Sequence, residues 1–562
     1  MRWTIKPKPE EEIVNSLAKT LGVNKLIAVL LAQRGIKNYE EARKFFRPQL
    51  SDLHDPFLMT DMTLAVRRIE KAILEKENIL IYGDYDVDGT TAVALVSSFL
   101  MQIYPNVATY IPDRYLEGYG VSYKGIEFAE DNNISLIIAL DCGVKALKQV
   151  DFAKSKGIDF IICDHHRPGN ELPDATAILD PKRDDCKYPY DELCGCGIGF
   201  KLIQALNIRR EGSFHELVPF LDLVATAIAA DIVPMTGENR VLAFYGLQVI
   251  NTNPRVGLRA IINQIQKNVL TITDVVFILA PRINAAGRIK HGQYAVNLLV
   301  EEDIGNAEAI AAEIEAFNLE RRGLDQAITD EALEMILENK EEARFTSVVY
   351  KDTWHKGVIG IVASRLTESY YRPTLVFTKS GEKLAASARS VKGFDVYNAL
   401  EQCTDYIEQF GGHKYAAGLT LLEKQYDGFK SQFERVVAST INPELLIPEV
   451  IIDTEIELNQ IDPKLMRILK QFAPFGPGNM SPLFLSEGLV DSGKGRTVGK
   501  DNKHLKLTVK QIGSAIFPAI GFNLGGKLSI TKNGAPFSAV YSIDENEWNG
   551  KIELQLKIRD LK

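Results

Sequence analysis

Residues 79–100, ILIYGDYDVDGTTAVALVSSFL, place Asp84, Asp86 and Asp88 at every second position, with Gly89 next. Three carboxylates this close repel one another, so a plain polar turn explains them poorly. A calcium loop opens with the same D-x-D-x-D-G pattern but needs a bidentate glutamate at its twelfth position. Here that position is Leu95, and the ninth is Ala92. The flank, residues 79–82, reads as a strand rather than a helix. A different cation site fits, with its other ligands drawn from elsewhere in the chain.

In open parallel sheets, ligands bind beyond the carboxyl ends of the strands. SLIIALDCG ends its apolar run at Asp141, and DFIICDHH ends at Asp164, His165 and His166. Three strands thus deliver metal-type ligands to one sheet edge. Asp231, in ATAIAADIVP, can be read as a helix end before Pro234. A charged group after so apolar a run is costly to bury unpaired, so it is counted as a ligand. Mixed Asp and His favour Mn²⁺ or Mg²⁺ over calcium, and imidazole tilts the choice toward manganese. So many carboxylates exceed the need of one ion. Two divalent cations ~3.5–4 Å apart, sharing one Asp, balance the charge and suit phosphate-ester hydrolysis.

The elements that must carry these residues follow from periodicity. Short Ile- and Val-rich runs at 79–83, 107–111, 136–140 and 160–163 read as buried parallel strands alternating with helices. The fold class is α/β: a doubly wound parallel-sheet domain over 76–300, preceded by a helical segment, 1–75. Residues 301–342, rich in Glu and Ala and free of Pro, read as a long connecting helix with a break possible at Gly323. A smaller α/β domain spans 343–445, and 446–562 alternates apolar and polar residues as a small β-barrel does.

With 562 residues, about three or four domains of ~150 residues are expected. No apolar run approaches the ~18 residues of a membrane helix, and the first residues lack a signal-peptide core. Six cysteines in so long a chain do not form a disulfide scaffold, and Cys186, Cys194 and Cys196 lack C-x-x-C spacing. A cytoplasmic setting is expected. The net charge of −9 offers no global attraction for nucleic acid, but a local groove and bound cations can supply it.

The motifs DYDVDG, DCG, DHH and ADIVP, in this order, resemble the DHH phosphoesterase superfamily. RINAAGR (282–288), WHKGVIGIVASRL (354–366), SARS (387–390), GGHKYAAG (411–418) and AQRGIKNYEEARKFFRPQL resemble its RecJ branch, with a DHHA1 domain at 343–445 and an OB fold at 446–562. Many DHH relatives place a His where this chain has Tyr82. The resemblance implies a single-stranded-DNA-specific 5′→3′ exonuclease that uses two divalent cations, Mn²⁺ or Mg²⁺, and releases 5′-mononucleotides in repair and recombination. It implies a monomer, with single-strand-binding protein and a RecQ-type helicase as partners. Asp86, Asp88, Asp141, His165 and Asp231 are the expected metal ligands, Asp141 bridging, and Asp84 is a ligand or orients one. His166 is expected to face the scissile phosphate, so catalysis falls to His166, Asp141 and Asp86. Asp164 is either a turn residue or the anchor of a ligand histidine.

For substrate binding, the family pattern gives Arg114 to phosphate and Tyr119 to base stacking. Arg282 either grips phosphate or pairs with the connecting helix, and Arg288 has the same ion-pair alternative. Ser387 and Arg389, two apart on a strand, face one side and suit one 5′-phosphate. Gly411 and Gly412 allow a phosphate close to the backbone beside His413, and His355 has a similar claim. In 493–510, Arg496, Lys500, Lys503 and Lys506 are the expected single-strand contacts in a stretch with six cations and Asp501 alone against them. Two other readings remain: a phosphodiesterase for short oligonucleotides or cyclic dinucleotides, and a non-catalytic single-strand-binding replication factor. The barrel argues against the first and the intact carboxylates against the second.

Overall fold

The computed structural model describes residues 1–548 and 551–562. It opens on a strand, β1 (Arg2–Ile5), which corrects the wholly helical reading of the N-terminal segment. The four-residue strand is too short to signal itself and is held by a partner far along the chain. Helices Glu11–Leu21, Lys25–Ala32 and Tyr39–Phe46 follow; the side chains of Asn24 and Asn38 cap the last two.

The first large sheet contains β2 (Asn78–Gly83), β3 (Val107–Tyr110), β4 (Ile134–Leu140), β5 (Asp159–Cys163) and β6 (Ala177–Leu179). All are parallel, in the order β3-β2-β4-β5-β6. Their register sets Gly83 beside Leu140, Leu140 beside Cys163, and Cys163 beside Leu179. The next residue in each chain segment is an aspartate: Asp84, Asp141, Asp164 and Asp180. Pairing register alone therefore lines up four carboxyl groups on one edge. Apolar side chains cover both faces of the sheet, as a parallel sheet requires.

Helix Ile304–Glu338 runs 35 residues without a break at Gly323, which has open space around it and does not disturb the ladder. The smaller α/β domain has β7 (Ser347–Tyr350), β8 (Thr374–Ser380), β9 (Lys383–Arg389), β10 (Gln409–His413) and β11 (Ala416–Leu422), ordered β10-β11-β9-β8-β7. Next, β12 (Glu449–Ile452) pairs in parallel with β1.

The final sheet joins β13 (Thr454–Glu455), β14 (Phe484–Asp491), β15 (Arg496–Val498), β16 (His504–Lys510), β17 (Phe517–Gly521), β18 (Phe537–Trp548) and β19 (Lys551–Leu561). Its order is β13-β14-β18-β19-β17-β16-β15, and a β14–β16 pairing closes it into a barrel. The fold class is the one the alternation of elements implies. The barrel core is shared: Leu17, Ile27 and Leu30 of the N-terminal helices pack in one cluster with Phe472, Phe484 and Tyr541. Among the described residues no helix is long and apolar enough to cross a membrane.

Candidate active site

Asp84 leaves β2 fully buried, and neither carboxylate oxygen has a hydrogen-bond partner. Asp86 caps helix Val87–Met101, accepting from the Gly89 amide at 3.1 Å. Gly89 is required here, because a Cβ would lie 2.4 Å from the Asp84 carbonyl oxygen. Asp88, in the first turn of that helix, accepts from the amides of Gly195 (2.6 Å) and Cys196 (2.8 Å) at the start of helix Gly195–Arg209. Asp141 follows β4 with φ of 59°. Its Oδ1 is buried, lacks a hydrogen-bond partner and lies 3.2 Å from His165 Nε2. Asp88 and Asp231 each approach the same nitrogen to 3.7 Å.

Two groups with ligand atoms inside 4.8 Å emerge: Asp141, His165 and His166, and Asp88, His165 and Asp231. Asp84 and Asp86 stand outside these groups, though both raise the pKa of Asp141 by their charge. Burial, and then neighbouring carboxylates, push Asp88 to about 6 and Asp231 to about 8, and drive Asp84 and Asp141 well upward. Buried, partnerless carboxylate oxygens beside a neutral imidazole are the donor set of a divalent-cation site, so the residues fit Mn²⁺ or Mg²⁺.

A stability test follows from the carboxylates. Without cations, their raised pKa values let the folded chain hold protons that the unfolded chain has already released. The folded state then binds more protons, so its stability falls as pH rises from the ordinary carboxylate range toward 6 and 8. The melting temperature of EDTA-treated protein should fall from about pH 5 to about pH 8, and the increment given by Mn²⁺ should grow over the same window. An increment that is flat with pH counts against a clustered-carboxylate site.

The adjacent histidines are driven apart. Burial, followed by the charge of His166, lowers His165 to about 3, which keeps it a neutral ligand. Burial also opposes charging His166, but the Asp164 carboxylate 2.7 Å from its Nδ1 outweighs this and holds its pKa up. Asp164 also accepts from the amides of Val144, His165 and His166, so it anchors the histidine turn. His166 Nε2 meets the Tyr119 hydroxyl at 3.1 Å. Tyr82 is buried and donates to the Gly120 carbonyl at 2.9 Å, so it packs the site rather than binding a cation.

A second, basic cluster lies beside the carboxylates. The Arg114 guanidinium stacks 3.8 Å above the Tyr85 ring and donates to the Gly287 carbonyl. Arg389 donates to Ser387 Oγ at 3.1 Å, confirming that the two share a side of β9. Between them is Arg288, donating to Gly357 and lowered to about 9 by burial and by Arg114, Arg321 and Arg389. Among the described residues none of Arg114, Arg288 and Arg389 has a carboxylate partner at ion-pair distance. Arg282 does not join them. It pairs with Glu315 of helix Ile304–Glu338 at 2.8 Å, the ion-pair alternative of its two readings. Six residues along one helix, at ~100° each, turn Arg282 and Arg288 to different faces.

The smaller α/β domain packs against both clusters. A Cβ on Gly357 would lie 2.4 Å from the Arg288 carbonyl, so glycine permits the approach. His355 sits beside it, edge-on to Tyr115. The His413 ring faces that of His166 at 6.4 Å with planes 13° apart. Gly411 has open space where a side chain would be, and Gly412 adopts φ of 141°.

On the barrel, Arg496 of β15 stands directly opposite Lys506 of β16. Like charges in that register are destabilising, which an anionic ligand would relieve. Lys500 and Lys503 are exposed nearby. Phe522 is 53% exposed, with His504 edge-on and Lys557 within 5.9 Å of its ring. Sequence reading missed Phe522, Lys557 and Asp180. Asp180 had a usable signal, an acid after an apolar run. It is fully buried, and burial raises it to about 7.

Family models match along the chain: DHH family N-terminal domain (residues 78–228), DHHA1 domain (343–439) and RecJ OB domain (452–560). The single-stranded-DNA-specific exonuclease RecJ of Bacillus subtilis is 38% identical over 100% of this chain and 70% of that protein. Its namesake from Salmonella typhimurium is 33% identical over 95% of both. The crystal structure of RecJ from Thermus thermophilus in complex with Mn²⁺ superposes with a TM-score of 0.85 at 26% identity, covering 100% of this chain and 79% of that one. Sequence, domain order and structure agree: the chain belongs to the RecJ family.

Proposed function

We propose that this chain hydrolyses single-stranded DNA from its 5′ end, one nucleotide at a time, using two divalent cations. The observation that carries the reading is the juxtaposition of a cation-type carboxylate–histidine cluster with arginines that have no acid partner, in one cleft between two domains. Bound divalent cations supply Lewis-acid polarisation of the scissile phosphate and an acidified water. Asp86, Asp88, Asp141, His165 and Asp231 hold them. His166, whose pKa the Asp164 carboxylate holds up, donates from Nε2 toward the phosphate, and Tyr119 orients that ring. Arg114, Arg288, Arg389 and Ser387 grip the terminal phosphate through charge-assisted hydrogen bonds. His355, Gly411, Gly412 and His413 form the facing wall. Farther along, Arg496, Lys500, Lys503, Lys506 and Phe522 offer the charge and stacking surface that a single strand needs.

The test is digestion of strands labelled at either end, single and duplex, in Mn²⁺ or EDTA. Mononucleotides should leave the 5′ end of single strands only, and EDTA should stop their release. Attack from the 3′ end, or turnover that survives EDTA, overturns the reading.

A further inference from the structure

Asp231 stands at the end of helix Leu221–Asp231, followed by Ile232 at φ of 58°. A β-branched residue seldom adopts that conformation, and one that does is held there by its surroundings. On one side the holders belong to the same domain: Asn239 donates to the Pro234 and Glu192 carbonyls, and Tyr190 packs against Gly237. On the other side they come from the barrel domain. The Met235 amide donates to the Pro477 carbonyl at 2.6 Å. A Cβ on Gly476 would lie 3.1 Å from Met235, and one on Gly478 2.9 Å from Thr236. The barrel turn is itself fixed. Arg240 donates to the carbonyls of Phe472, Ala473 and Pro474, and the Asn479 side chain donates from Nδ2 to those of Phe472 and Pro474. Next to this contact is a cavity of about 310 Å³, lined in part by Arg34, Phe45, Met235, Thr236 and Arg240.

We propose that the barrel-domain turn 472–479 is a positioning element of the catalytic centre. By clamping residues 232–236 it fixes the direction of the Asp231 carboxylate and hence the affinity of the cation that Asp231 holds. This rests on the reading of Asp231 as a metal ligand. It gives the barrel domain a second task, distinct from contact with the strand.

The test titrates Mn²⁺ alone into metal-stripped full-length protein by calorimetry. Gly478→Ala places a methyl against Thr236, while Gly488→Ala imposes a similar backbone penalty (φ 65° against 75°) on the same domain with nothing within 4 Å. Both should lower the melting temperature comparably, but Gly478→Ala alone should weaken Mn²⁺ binding, by about tenfold, the scale of losing a residue that orients a ligand. Binding of a long single strand in EDTA should be unchanged. Adding Thr236→Ser, which removes the crowded methyl, should restore Mn²⁺ affinity. If Gly478→Ala does not fold, Gly476→Ala, with no left-handed backbone, carries the same titration. Equal Mn²⁺ affinity in wild type and in the folded variant overturns the proposal. Asp231→Asn separates the failures: if it too leaves Mn²⁺ binding intact, the ligand reading falls, and if it weakens binding while Gly478→Ala does not, only the clamp falls.

Discussion

Asp141→Ala should lower turnover by on the order of 10³-fold or more, the several kcal/mol that metal polarisation contributes to a phosphoryl transition state. The expectation rests on position. Asp141 Oδ1 is buried without a hydrogen-bond partner and faces the shared His165, and its charge is coupled to Asp84, Asp86, Asp88 and Asp231. Removing it disturbs every candidate ligand at once. Its left-handed backbone complicates the alanine variant, because alanine at that φ adds a cost of about 1–2 kcal/mol unrelated to chemistry. Asp141→Asn tolerates the conformation and keeps the shape, so it should fold as wild type and still be inactive. Metal content measured directly on both variants should fall. Full occupancy with near-normal turnover in Asp141→Asn would remove Asp141 from the site.

Arg389→Ala should cost about 1.5–3 kcal/mol in kcat/KM on strands with a 5′-phosphate, roughly 10- to 150-fold, as the loss of a charged hydrogen bond does. Strands ending in a 5′-hydroxyl should lose little. The alternative role, pairing with an acid of its own domain, predicts equal losses on both ends and lowered stability. The structure disfavours that alternative, since Arg389 donates to Ser387 and to the Ala388 carbonyl rather than to a carboxylate. The quantity to measure is the ratio of kcat/KM values for phosphorylated over hydroxyl ends in wild type and variant. An unchanged ratio removes Arg389 from the grip on the terminal phosphate and, with it, the basis for direction.

The carboxylate row was legible because two local rules coincide. Buried parallel strands announce themselves as Ile- and Val-rich runs, and ligands gather at their carboxyl ends. Asp84, Asp141 and Asp164 could therefore be placed on one edge before any register was known. Arg282 and Arg288 could not be told apart, because which helix face meets phosphate depends on where a distant helix docks. Glu315, from that helix, lies beside Arg282 at 2.8 Å. The β1–β12 pairing and the clamp on residues 232–236 were illegible for a related reason. They join segments hundreds of residues apart through backbone groups, which every sequence possesses alike.

The shared core of the N-terminal helices and the barrel bears on how the protein is made. Leu17, Ile27 and Leu30 find their apolar partners in Phe472, Phe484 and Tyr541. Strand β1 waits likewise for β12, and Trp3 for Asp560, to which its indole donates at 2.8 Å. A ribosome moving at about 5–20 residues per second leaves the early helices without those partners for tens of seconds. Throughout that interval residues 11–46 expose an amphipathic surface, while the first parallel sheet, whose strands lie within 78–179, can already assemble. Nascent chains stalled before residue 450 should therefore be the aggregation-prone and chaperone-bound species, with the leading helices as the sticky end.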